Sequence, residues 1–60
     1  MFELVIWDLD YQKITKTYTD QKIALEVFYI LQEYRHKGLL KVSAFELRCN
    51  GGLIGHEEVC

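Results

Sequence analysis

The chain has 60 residues, half of them hydrophobic and 27% charged. That composition folds, because disordered segments pair low hydrophobicity with high net charge. A chain this short buries only about 60% of the surface its unfolded form exposes, so one marginal domain spanning residues 1–60 is expected, supported by disulfides, a metal or association. The net charge of −2 gives little long-range attraction for phosphate backbones, and the apolar runs fall far short of the ~20 residues that cross a bilayer.

The sequence opens without a basic segment, apolar stretch and small-residue cleavage site, which leads us to expect no secretion signal. A soluble, cytoplasmic protein without membrane contact follows as an expectation, with Cys49 and Cys60 as reduced thiols.

Residues 2–9, FELVIWDL, are rich in β-branched and aromatic side chains and read as a first strand. Asp8, Asp10 and Gln12 suit a polar turn, and residues 14–19, ITKTYT, alternate with period two as a second strand. A helix is expected over residues 20–37. Thr19 or Asp20 can cap its start, and Arg35, His36 and Lys37 place cations in its last turn before Gly38, which suits the left-handed residue beyond the end. Ile23, Val27, Ile30, Leu31 and Tyr34 recur at helical spacing as its apolar stripe, with Ala24 and Phe28 widening it.

Residues 40–49, LKVSAFELRC, read as a third strand. Asn50-Gly51 is the strongest hairpin signal in the chain, and residues 52–59 form the fourth strand. With Asn50 and Gly51 as a two-residue loop, Cys49 pairs with Gly52, Leu47 lies opposite Ile54 and Phe45 opposite His56. The expected fold is α+β, a four-stranded antiparallel sheet with one helix in the order ββαββ.

An apolar strand ending in Asp-x-Asp, Val5-Ile6-Trp7-Asp8-Leu9-Asp10, resembles the first motif of the haloacid-dehalogenase-like phosphatases. That resemblance implies a nucleophile at Asp8 and an acid/base at Asp10, within a doubly wound domain much larger than 60 residues. Tyr11-Gln12 stands where the family carries Gly-Thr, and the pair is read as an acidic hairpin turn.

Cys49, His56 and Cys60 are donors that zinc accepts. However, four strand residues separate His56 from Cys60 by roughly 14 Å, and the last hairpin sends Cys49 and Cys60 to opposite ends, so no metal, cofactor or intrachain disulfide is expected. Ser43, Cys49, His36 and His56 are scattered over separate elements and assemble no nucleophile and base. The run from Gly51 to Gly55 lacks the Lys-Ser/Thr and helix of a phosphate loop.

Strand one carries a second apolar face. Phe2, Leu4 and Ile6 point one way and Val5, Trp7 and Leu9 the other, while one helix covers only one side of a sheet. Val5, Trp7 and Leu9 are therefore the candidate interaction face. The functional expectation is a small non-enzymatic protein-interaction module, a homodimer that binds and regulates or inhibits a larger protein, of a kind common among bacterial accessory and phage-encoded proteins. The alternative is a small nucleic-acid-binding protein using Lys13, Lys16 and Lys22 with neighbouring tyrosines.

Overall fold

A computed structural model describes residues 1–59 of the chain. The elements are β1 (Phe2–Trp7), β2 (Lys13–Tyr18), α1 (Gln21–His36), β3 (Ala44–Cys49) and β4 (Gly52–Glu58). The four antiparallel strands form one sheet in the order β2-β1-β3-β4, an α+β fold of order ββαββ. Two hairpins supply the halves, and α1 carries the chain between them so that β1 and β3 meet in the centre.

Alternation along a strand sorts the side chains onto two faces. One face carries the row Ile14, Ile6, Phe45, Glu57 and the row Lys16, Leu4, Leu47, Gly55. Here α1 packs, and Leu4, Phe45 and Leu47 bury with Ala24 and Phe28 as the core. The opposite face carries the row Lys13, Trp7, Ala44, Glu58, then Thr15, Val5, Glu46, His56, then Thr17, Glu3, Arg48, Leu53.

The second hairpin turns where expected. Asn50 (φ 51°) and Gly51 (φ 84°) both adopt positive φ, as a two-residue primed turn requires, and Cys49 pairs with Gly52. Beyond that pair the expected register fails. A bulge between Leu47 and Arg48 sets Leu47 opposite Gly55, Phe45 opposite Glu57 and Glu46 opposite His56. Phe28 supplies the reason, because a Cβ at Gly55 would lie 2.9 Å from its ring, so only glycine fits opposite Leu47. The extra residue, Ile54, takes up the slip.

Both helix ends are closed as the sequence suggests. The Asp20 carboxylate accepts from Lys22 N–H at 2.8 Å. Gly38, with φ 73°, donates to Arg35 C=O at 3.0 Å and Leu39 N–H donates to Tyr34 C=O at 2.9 Å, the paired bonds of a Schellman end.

The helix is rolled relative to the expected stripe. Ala24 and Phe28 are its buried residues, whereas Ile23, Ile30 and Tyr34 remain 48%, 52% and 47% exposed. Two forces set the roll. The Phe28 ring reaches over Gly55 and stacks edge-on against Phe45 with centroids 5.3 Å apart. Polar bonds then hold the same flank to β4: Gln32 Nε2 donates to Glu57 Oε1 at 3.0 Å and Arg35 Nε to Glu58 C=O at 3.0 Å.

Candidate functional site

On the helix-free face, Ala44 separates Trp7 from Glu58 in one cross-strand row. A methyl group between a large ring and a long carboxylate leaves a dip. The result is a depression of about 410 Å³ lined by Trp7, Tyr11, Ser43, Ala44, His56 and Glu58. Of its lining residues, Ala44 and Ser43 are buried.

The turn between β1 and β2 supplies the Tyr11 wall. Asp8 Oδ1 accepts from Asp10 N–H and Gln12 N–H, each at 2.9 Å, and Tyr11 N–H donates to Asp8 C=O at 3.0 Å. Ser43 Oγ–H donates to the same carbonyl at 2.7 Å, tying the turn to the start of β3. Tyr11 sits at φ 60° while 74% exposed, an uncommon conformation for a bulky side chain.

Beside the depression lies a charge network. Glu46 is 5% exposed and is paired with Arg48 Nε through Oε2 and with His56 Nδ1 through Oε1, the latter at 2.8 Å. The outer ring nitrogen, Nε2, lies 3.3 Å from Glu58 Oε1. Burial pushes the Glu46 carboxyl up, but hydrogen bonds from His56 and Arg48 outweigh it and hold its pKa below the ordinary value. The bond to Glu46, then that to Glu58, raises the His56 pKa. Both ring nitrogens are engaged by carboxylates, and the neighbouring Ser43 hydroxyl is committed to the Asp8 carbonyl.

A second feature lies on the other side of the sheet. On α1, the flank bearing Ile23, Ile30 and Tyr34 lies away from Gln32 and Arg35, the residues that bond to β4. Ile14, on the helix face of the edge strand β2 and paired with Ile6, is 47% exposed.

The residues singled out from the sequence separate in the structure. Val5 and Trp7 share the helix-free face, but Val5 is only 2% exposed between its row neighbours Thr15 and Glu46, so its surface already belongs to this chain. Leu9 lies exposed in the turn beyond β1. The expected second apolar face is therefore mostly polar, because β2, β3 and β4 contribute Lys13, Thr15, Glu46, Arg48, His56 and Glu58 to it. Lys13 and Lys16 fall on opposite faces of β2, and Lys22 is in the first turn of α1, so the three form no single track.

Asp8, the first acid of the Asp-x-Asp run, spends its carboxylate on the turn. Cys49 is a half-buried free thiol, and the expectation for Cys60 lies outside the described residues. Among the described residues no group of three or more His, Cys, Asp or Glu side chains is arranged to hold a metal, and no helix is long and apolar enough to cross a membrane.

From the sequence Tyr11 stands out only among the tyrosines able to stack on bases, and Glu46 and Glu58 are not singled out for a site. The local signal for Tyr11 was its place at the end of an Asp-rich turn where glycine or asparagine is usual. Searches for a matching family model, a similar curated protein and a similar solved structure return none.

Proposed function

We propose that this chain is a non-enzymatic protein-interaction module that self-associates as a homodimer and binds a larger protein in the cytoplasm, where Cys49 persists as a thiol. The observation that supports it is the exposure of the helix flank Ile23, Ile30 and Tyr34 and of Ile14 on the helix face of the edge strand, each close to half exposed. A second copy related by a two-fold axis presents the same flank to the first, so the patch is its own complement.

The size of the patch suits that role. Covering these four side chains removes about 300 Å² of apolar surface per subunit, which at about 25 cal/mol per Å² contributes on the order of 7 kcal/mol per subunit. Two subunits together contribute about 14 kcal/mol, within the range of association costs of about 4 to more than 15 kcal/mol. For a domain whose own core is this small, association also adds stability by mass action.

Sedimentation equilibrium tests the reading. The wild-type chain is expected to sediment as a dimer at tens of micromolar and Ile30→Lys as a folded monomer with unchanged helical circular dichroism. A wild-type monomer at millimolar concentration would refute self-association, and a dimer unaffected by Ile30→Lys would refute this surface.

A further inference from the structure

From the depression on the helix-free face, we infer that Trp7, Tyr11 and Glu58 form a receptor for a basic side chain, arginine or lysine, presented by the protein partner. The inference rests on the reading of the chain as an interaction module, and it uses the opposite side of the sheet from the proposed dimer surface.

Three observations converge on a cation. The cavity of about 410 Å³ is lined by Trp7, Tyr11 and Glu58, and also by His56, whose ring lies tilted 6.2 Å from that of Trp7, and aromatic faces attract ammonium and guanidinium groups through their quadrupole. Glu58 can receive it through Oε2: its side chain is 73% exposed, and its contact with His56 runs through Oε1 at a long 3.3 Å. An anionic ligand would meet Glu58 directly, with Glu46 behind it. Glu46 is already paired with Arg48 and His56, so Glu58 is the carboxylate left to face a ligand.

Tyr11 supplies the strongest argument. A left-handed L-residue costs roughly 1–2 kcal/mol, and a ring 74% exposed recovers little of that by burial. Glycine or asparagine would satisfy the turn better, so the tyrosine is explained by what its ring lines. The turn holds that residue in place, because the Asp8 carboxylate accepts two backbone N–H bonds within it and the Asp8 carbonyl accepts from Ser43 Oγ–H, just before β3. Outliers of this kind cluster at ligand clamps.

Trp7 is the chain's one tryptophan, so its fluorescence reports on the pocket directly. The probes are the acetylated, amidated tripeptides Gly-Arg-Gly and Gly-Lys-Gly, with Gly-Gln-Gly and Gly-Glu-Gly as controls and oligothymidylate as a test of base stacking. Saturable changes with the arginine and lysine peptides, weakened by salt, are expected, and none with the controls.

Tyr11→Gly and Glu58→Gln should each raise the dissociation constant by about tenfold or more. Tyr11→Gly should melt at or above the wild-type temperature, so its loss of binding is not a loss of fold, and Tyr11→Asn, which also tolerates the turn, should behave alike. Both variants should sediment as the wild type does, which keeps this test separate from that of the dimer. Equal response to glutamate and arginine peptides, a response to oligothymidylate alone, or full binding by Tyr11→Gly would overturn the inference.

Discussion

Gly55→Ala adds one methyl group at the point where helix and sheet press together. Its Cβ would stand 2.9 Å from Phe28 Cζ and 3.0 Å from Cε2, well inside the 3.5–4.0 Å at which carbon atoms attract. Phe28 cannot retreat cheaply, since it is buried edge-on against Phe45 in a cluster with Leu4, Ala24 and Leu47. Overpacking of this kind costs about 1–3 kcal/mol, and the reduced freedom of alanine in the unfolded chain returns about 0.5 kcal/mol. A net loss of about 1–2 kcal/mol should lower the melting temperature by roughly 5–15 °C in a domain of this size.

The assay is a double-mutant cycle with Phe28→Leu, followed by thermal circular dichroism at fixed concentration. Phe28→Leu shortens the ring that the new methyl meets, so the pair should be more stable than the sum of the single losses by at least about 0.5 kcal/mol. Strictly additive losses, or a neutral Gly55→Ala, would show that Phe28 does not seat on β4 and that the roll of α1 has another cause.

Gly51→Val should cost about 1 kcal/mol or more in chemical denaturation, because φ is 84° with open space around it and the penalty is purely conformational; an unchanged midpoint would place the turn elsewhere. Asp20→Ala should lose about 1 kcal/mol with the Lys22 N–H bond, read as a lower urea midpoint. Stability should also depend on pH through His56 and Glu46. The raised His56 pKa gives a contribution fully present below its ordinary 6.5 and lost as pH climbs through the folded value. The lowered Glu46 pKa gives one present above 4.5 and lost as pH falls through its folded value. Urea midpoints should therefore decline on both sides of the window between those two, and His56→Asn should remove the decline on the alkaline side.

What was legible in the sequence was local. Asp20, Gly38 and Asn50-Gly51 each act within a few residues through a cap or a required positive φ, so the ends of α1 and the second turn follow from the chain alone. What was not legible depended on contacts between elements. The spacing of Ile23, Val27, Ile30 and Tyr34 is as good a stripe as that of Ala24, Phe28 and Leu31, and the choice is made by Gly55 and Glu57 on a strand more than twenty residues away.

The register slip had the larger consequence for the site. A shift of one residue moves every side chain to the other face, and without the bulge His56 would lie opposite Phe45. The bulge carries it across to Glu46, which lets a glutamate in the middle of β3 be buried with partners and closes one wall of the Trp7 depression.

The account turns on which surface a second copy covers, and isotope-filtered nuclear Overhauser spectroscopy on a mixture of labelled and unlabelled chains observes that directly. Intermolecular contacts should appear at the methyl groups of Ile14, Ile23 and Ile30 and the ring of Tyr34, with none at Trp7. Intermolecular contacts centred on Trp7, or none at concentrations where sedimentation finds a single species of monomer mass, would contradict it.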